Sequence, residues 1–492
     1  MYIQISEKIY IAQMGGYCIK IHKRANTIRI LYTVQIQLLT LGGIFAILFS
    51  DTEAERGAFF VKTTVKSLSY SAAAAIAPYP HKLPKKPNLF WRGLIRGLSV
   101  LGLSGTGFHF ETERMELLPK EEPCLILMNH SCFLDLQIAS RILYPRPYNI
   151  ICTCDGFVGL GGLMEWLMRS IGCVPTRKFV TDFSLVQDMQ YCFKTLKTSV
   201  LMYPEASYSF DGTCTPLPRK MGVLLKKFDV PVVMIETFGA FSRNPLYNEL
   251  KVRKSVPVSA KATLLYTRQE IREKTVKELS DGLDMAFSFD HFRWQRETGL
   301  EINEDFRADG LHRILYKCPH CGAEGKMEGK GTTLTCYACG KQWELTPLGQ
   351  MRALEGETEY AHIPDWYAWE RREVRQELEN GTYRMEADVD IAIMADFSAI
   401  YRVGEGHLIH DLNGFRLTGC DGQLEYDQKP QTCYGLYADY YWYEIADTIC
   451  IGDNQRLYYC FPKGQPIVAK TRLAAEELYK MCKSRKRVSR SG

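Results

Sequence analysis

Residues 125–135 read Leu125-Ile126-Leu127-Met128-Asn129-His130-Ser131-Cys132-Phe133-Leu134-Asp135. Four apolar residues in a row have the length of a short buried strand, and from Phe133 onward the pattern is helical. A histidine and an aspartate thus stand five apart where a strand ends and a helix begins, a customary place for a site on an α/β sheet. Five residues along a single helix would turn the two side chains about 140° apart. The spacing therefore predicts His130 on the turn and Asp135 in the first turns of the helix. From there a carboxylate can hold one imidazole nitrogen while the other takes a proton from a substrate hydroxyl. A helix-capping polar cluster with a satisfied histidine fits the same spacing, so the flanking sequence has to decide.

Over 107–296, apolar strands alternate with amphipathic helices, which implies an α/β domain with a mainly parallel sheet covered by helices. Strands are predicted at Tyr148–Thr153, 199–203 and 230–235, and helices at 160–171, 183–195 and 220–228. The stretch 172–178 reads as a turn that brings Arg177 and Lys178 forward. The strand at 199–203 runs into Pro204-Glu205-Ala206-Ser207-Tyr208.

Four blocks in this domain, in order, resemble the glycerolipid acyltransferase family, the 1-acyl-glycerol-3-phosphate acyltransferases and their relatives, over roughly 105–270. The first is Asn129, His130 and Asp135. The second is the loop from Gly172 to Lys178, and the third is Tyr203-Pro204-Glu205. The fourth is Val230-Pro231-Val232, and Lys220 with Gly222 supplies a Lys-x-Gly that often follows the third. The chain departs from the family at Ala206-Ser207-Tyr208, where Gly-Thr-Arg is usual, at Thr176-Arg177-Lys178, where Asp-Arg is typical, and at Met234, where a second proline is common. The resemblance implies a thioester donor, acyl-CoA or acyl-carrier-protein, and a lipid acceptor. His130 would be the general base, Asp135 the carboxylate that fixes its tautomer, and backbone N–H groups at the following helix start the oxyanion donors. Glu205 would orient the acceptor's hydroxyls, with Ser207, Arg177, Lys178 and Lys220 as further acceptor contacts. Cys132, inside the first block, reads as a small packed thiol rather than a nucleophile. The missing third-block arginine leaves open an acceptor without a phosphate. A third reading makes the protein an inactive membrane-docking scaffold.

Around this domain the chain is long enough, at 492 residues, for several more. Its 46% hydrophobic and 24% charged content is that of an ordinary globular protein, and a net charge of +5 does not point to nucleic acid. Residues 1–84 form an N-terminal leader in which 30–49 is apolar enough to nominate a membrane segment. Residues 85–106 read as an amphipathic helix capped by Asn88, with Trp91, Leu94, Ile95, Leu98 and Leu101 on one face and Arg92, Arg96 and Ser99 on the other. Such a helix suits either a membrane interface or ordinary packing on the domain. The seventeen cysteines show no disulfide framework and favour a reducing compartment. The expected location is therefore membrane-associated, at the cytosolic face.

Four of the thiols are spaced as metal ligands: Cys318-Pro319-His320-Cys321-Gly322 and Cys336-Tyr337-Ala338-Cys339-Gly340 form two knuckles, each closed by a glycine. Residues 311–350 look like a zinc ribbon with a closed, structural zinc; rubredoxin-type iron is the alternative. Residues 351–381 read as a helical linker. Residues 382–492 read as a β-rich domain with turns at Gly404, Asn413-Gly414, Asp421-Gly422 and Asp453-Asn454, closed by a helix and a basic tail. Only the order of these elements resembles a pleckstrin-homology-like sandwich. The aromatics Tyr437, Tyr440, Tyr441, Trp442 and Tyr443 read as core and sheet surface.

Overall fold

The apolar run ahead of Asn129 is the central strand of a seven-stranded sheet. The structure is a computed structural model describing residues 9–14, 17–22, 64–159, 162–180, 182–464 and 466–491; for 9–14, 17–22 and 485–491 it describes the backbone alone. Residues 1–61 and 62–492 are separate units. In the first, Ile9–Met14 and Tyr17–His22 pair as an antiparallel hairpin. The expected membrane segment, 30–49, lies outside the described residues. Among the described residues no helix is long and apolar enough to cross a membrane.

The strands of the central sheet are β1 (His109–Glu113), β2 (Leu125–Met128), β3 (Tyr148–Thr153), β4 (Cys173–Thr176), β5 (Ser199–Met202), β6 (Val232–Phe238) and β7 (Ser259–Tyr266). Their order is β1-β7-β6-β2-β5-β3-β4, and only the β6–β7 pair is antiparallel. The longer helices of this domain are α1 (Leu89–Gly102), α2 (Asp135–Leu143), α3 (Leu163–Ser170), α4 (Phe183–Tyr191), α5 (Met221–Phe228), α6 (Val276–Ala286) and α7 (His291–Glu297). Alternate residues of the inner strands, Leu125, Leu127, Val200, Val232 and Met234, pack against Met189 of α4, Leu225 of α5 and Leu279 and Leu283 of α6. Gly222 permits the closeness of α5 and α6, because a Cβ there would stand 2.4 Å from the Val276 carbonyl. The stretch expected to be a turn, 172–178, is in part edge strand β4. Pro175 is tolerated there because an edge strand has backbone positions with no donor to satisfy.

Helix α1 is capped as expected, with Asn88 Oδ1 accepting the Trp91 N–H at 3.0 Å. Its buried stripe is Trp91, Ile95 and Ser99: the first two belong to the apolar face read from the sequence, and Ser99 to the polar one. Ser99 can be buried because its hydroxyl returns to the Ile95 carbonyl at 2.7 Å. Leu89, Phe90, Val100 and Leu101 are left exposed, Phe90 by 61% and Leu101 by 68%.

The cysteine segment is a four-stranded antiparallel sheet of β8 (Met327–Lys330), β9 (Thr333–Cys336), β10 (Gln342–Leu345) and β11 (Met351–Ala353). Helix α8 (Ile363–Asn380) is no free connector. Ile363, Trp366, Tyr367, Glu370, Val374 and Leu378 are all buried, and Glu370 accepts the Lys317 N–H at 2.8 Å. The last region is one sheet of β12 (Met385–Met394), β13 (Ile400–Asp411), β14 (Gly414–Gly419), β15 (Leu424–Gln428), β16 (Tyr437–Trp442), β17 (Ala446–Gly452) and β18 (Leu457–Pro462), followed by α9 (Val468–Ser491). Its order is β15-β14-β13-β12-β18-β17-β16, with Val65–Ser67 added parallel to β13. Gly404 is not a turn but lies in β13 where the register with β12 shifts, a bulge. The cysteine sheet, α8, α9 and the last sheet share one core that includes Cys318, Cys336, Trp343, Trp366, Leu408 and Leu473.

Asp155, just after β3, joins this core to the first domain. Its carboxylate accepts hydrogen bonds from the hydroxyls of Tyr437 and Tyr459, the latter at 2.5 Å, and from the Trp442 indole N–H at 3.3 Å. Removing it strands the two buried hydroxyls, each unsatisfied group costing on the order of 1–3 kcal/mol, while the Trp442 N–H keeps the Tyr437 oxygen at 3.0 Å. Asp155→Ala is expected to destabilise the folded chain by about 3 kcal/mol or more, read as a lowered urea midpoint; an unchanged midpoint would show that the junction does not depend on it.

Candidate active site

The turn between β2 and α2 presents His130. Asp135 opens α2 and folds its carboxylate back over the turn, where Oδ2 lies 2.9 Å from His130 Nδ1. The same oxygen accepts the backbone N–H groups of Ser131, at 2.8 Å, and Cys132, at 3.3 Å. Since Oδ2 faces amide donors, it acts as an acceptor, Nδ1 carries the hydrogen, and the Nε2 lone pair is left for a substrate. Burial and the positive charge of Lys178 hold the His130 imidazole well below its ordinary pKa, so it is neutral at neutral pH. Burial also pushes the Asp135 carboxyl up, against the pull of the two amides.

Both faces of the imidazole are covered. Tyr203 stacks on it with ring centres 4.1 Å apart, and Tyr208 at 3.8 Å and 28°. The side chain is 15% exposed. Tyr203 was quoted as a block residue, but the covering role of Tyr208 was not foreseen.

The anchoring of the turn also went unforeseen beyond Asn129 itself. Asn129 is fully buried: its Oδ1 accepts the Thr237 N–H at 2.9 Å, and its Nδ2 donates to Ser131 Oγ at 3.0 Å. Ser131 Oγ lies 2.9 Å from Thr237 Oγ1, so β2 and β6 are tied at the point where the turn leaves the sheet.

Glu205 takes a place different from the one expected. It is fully buried, with Oε1 accepting the His130 N–H at 3.0 Å and Oε2 the Thr215 N–H at 2.8 Å. Burial lifts its pKa to about 7. Its oxygens hold the His130 turn against the loop 205–215 rather than facing an acceptor. Ala206, next in the chain, has φ of 55°, which explains why glycine is usual at this point of the resembled family. The helix-start amides expected as oxyanion donors are also committed: those of Ser131 and Cys132 to Asp135, and that of Leu134 to the Cys132 sulfur at 3.4 Å. Cys132 is buried, in keeping with a packed thiol.

The expected acceptor contacts separate. Lys178 reaches the His130 rings, with Nζ 5.8 Å from the centre of Tyr208 and 4.4 Å from that of Tyr437. Arg177 instead donates to the Asn454 carbonyl in the β17–β18 turn. Ser207 is buried, its hydroxyl 3.3 Å from the Tyr208 carbonyl. Lys220 stands exposed at the start of α5. A cavity of about 560 Å³ lined by Asp211, Thr215, Asp284, Arg371 and Arg472 does not include His130 in its wall.

The four knuckle cysteines come together. Cys318 and Cys339 sulfurs are 3.9 Å apart, those of Cys321 and Cys336 3.8 Å, and all four lie within 4.8 Å of one another. A tetrahedron with metal–sulfur bonds of about 2.3 Å requires sulfurs about 3.8 Å apart, so the set fits a tetrahedral metal. Backbone N–H groups of His320 and Cys321 point to the Cys318 sulfur, that of Ala323 to Cys321 and that of Lys341 to Cys339, which stabilises thiolates.

With this geometry in place, comparison with known proteins identifies the domain. The family model described as Acyltransferase matches residues 109–235, from β1 into β6. This segment is an acyltransferase-family domain, as the four blocks suggested. One solved structure, the 1-acyl-sn-glycerophosphate (LPA) acyltransferase from Thermotoga maritima, is similar at 15% identity and a TM-score of 0.28, over 39% of this chain and 78% of that one.

The electrostatics of the base yield a prediction. With His130 as the general base, its protonation would stop the reaction, and kcat/KM is expected to fall on the acid side through a pKa below the ordinary 6.5. Lys178 contributes to that depression, beside the larger effect of burial. Lys178→Gln is expected to move the acid limb of the pH profile upward; a limb that stays in place or moves down would show that Lys178 does not act on the imidazole.

Proposed function

We propose that the protein is an O-acyltransferase that moves a fatty acyl group from a thioester donor to a hydroxyl of a glycerolipid, in phospholipid biosynthesis. The observation that carries this reading is the His130–Asp135 pair, in a domain that matches the acyltransferase family, with its one uncommitted nitrogen at the ring edge. Nε2 takes the acceptor's hydroxyl proton as that oxygen attacks the thioester carbonyl. Asp135 stabilises the imidazolium that forms. Collapse of the tetrahedral intermediate breaks the carbon–sulfur bond, and the imidazolium returns the proton to the leaving thiolate. No enzyme nucleophile is needed, because the thioester is already activated. Acyl-CoA and acyl-carrier-protein are both candidate donors, and a 1-acyl-glycerol-3-phosphate is the acceptor the motif order suggests. A second reading keeps the chemistry but gives the acceptor no phosphate monoester, and Tyr208 in the place of an arginine favours it. His130→Ala is expected to lower transfer by roughly a hundred- to ten-thousand-fold; full activity in that variant would refute the mechanism.

We further propose that the reaction takes place at a membrane, at its cytosolic face; the surface around α1 supports the membrane part of this reading. Leu83, Leu89, Phe90, Leu101 and, from α3, Leu163 and Trp166 are exposed, and Trp91 links the two helices through a 5.7 Å contact with Trp166. Lys85 and Lys86 stand exposed just before α1. An apolar patch beside cations suits an anionic lipid interface. The doubly substituted Leu89→Gln, Phe90→Gln protein is expected to lose most binding to anionic liposomes in a flotation assay, and undiminished binding would count against this surface.

Cys318, Cys321, Cys336 and Cys339 would hold a structural zinc, closed to substrate by its four sulfurs. The purified chain is expected to carry one zinc per molecule. Cys321→Ser with Cys339→Ser should lose both the metal and thermal stability, whereas a metal-free wild-type protein that stays folded would dismiss the site.

A further inference from the structure

The surroundings of His130 reach the C-terminal sheet through Lys178. Tyr208 lies flat on the imidazole at the position where the resembled family carries an arginine. The cation that does reach this point, Lys178, sits over Tyr437 of β16, and among the described residues no carboxylate comes within 4.0 Å of its Nζ. Tyr437 and Asp439 lie two residues apart in regular pairing with Cys450 and Thr448 of β17, so they share one face of β16. Asp439 is buried, with one oxygen accepting the Tyr440 N–H at 3.0 Å. Burial pushes its pKa to about 6, and the nearby Lys178 ammonium and the Arg472 guanidinium draw it back down. One ammonium and one carboxylate thus stand near Tyr208, which covers His130, close enough to feel each other yet not joined as an ion pair.

On the acyl-transfer reading above, we propose that β16 forms one wall of the acceptor pocket, with Lys178 and Asp439 selecting a lysolipid whose headgroup has no net charge. Such a headgroup offers an acceptor oxygen to Lys178 and an N–H or O–H donor to Asp439. A phosphate monoester fits poorly. It carries nearly two negative charges and three acceptor oxygens, which one lysine meets only as a point charge and which the Asp439 carboxylate repels.

The test uses the full chain and three lysolipids of one acyl length: a phosphate monoester (lysophosphatidate), a zwitterion (lysophosphatidylethanolamine) and an uncharged monoacylglycerol. A kcat/KM about tenfold or more higher for the zwitterion or the uncharged lipid than for the phosphate monoester is expected, and the ranking of those two identifies which donor Asp439 takes. Asp439→Asn should raise KM for the preferred lipid about tenfold, more than it lowers kcat. Preference of the wild type for lysophosphatidate would overturn the inference, as would an unchanged KM in a folded Asp439→Asn protein. Binding to the His130→Ala protein, followed by tryptophan fluorescence, separates the two readings. If Asp439→Asn in that background weakens binding of the same lipid, the pocket stands even where no transfer occurs; equal binding removes it. Absence of transfer by the wild type to all three lipids would fall on the acyl-transfer reading instead.

Discussion

Two buried carboxylates, both hydrogen-bonded mainly by backbone amides, hold the turn on which everything else rests. Asp135 gathers the N–H groups of Ser131 and Cys132 together with the His130 ring, and Glu205 takes the N–H groups of His130 and Thr215. A buried carboxylate needs compensation, and a cation is the commonest source. Amides in that role confine the imidazole without spending an arginine or lysine on it. Lys178 is thereby left to the Tyr208 and Tyr437 rings. The direction of the His130 shift has its own causes, burial first and then the Lys178 cation, which both oppose its charging.

What the sequence made legible was local. A strand of four apolar residues, a polar turn and a helix fix one another over ten residues, so His130 and Asp135 meet as their spacing required. Two short knuckles likewise bring four sulfurs to tetrahedral distances. The Asn88 cap and the Asn413-Gly414 hairpin are similarly short-range.

The misreadings share a different cause: the deciding partner lies far along the chain. Glu205 looks like an acceptor ligand until the Thr215 and His130 amides are seen to use its oxygens. Arg177 and Lys178 are neighbours in sequence, yet one goes to the Asn454 carbonyl and the other to the Tyr208 and Tyr437 rings. Ser99 was placed on a polar face because its internal bond to Ile95 cannot be read from a helical wheel. Helix α8 seemed a connector because its charges hide the buried row from Ile363 to Leu378. Tyr208 carried one usable signal, its departure from the expected arginine, though nothing in sequence says that a tyrosine there will lie on the base.

Asp155 has one more implication, for how the protein comes to be made. Its partners Tyr437, Trp442 and Tyr459 emerge from the ribosome long after the acyltransferase domain has had time to collapse, since domains fold as units during synthesis. Val65–Ser67, ahead of that domain, likewise waits for Ile400, Tyr401 and Arg402 before it has a strand to pair with. The residues that hold His130 and Asp135, up to Thr237, are therefore all translated before Tyr437 of β16, over which Lys178 sits. Vectorial synthesis thus separates the making of the His130–Asp135 turn from that of its surroundings, and the second step belongs to strands translated some two hundred residues or more later.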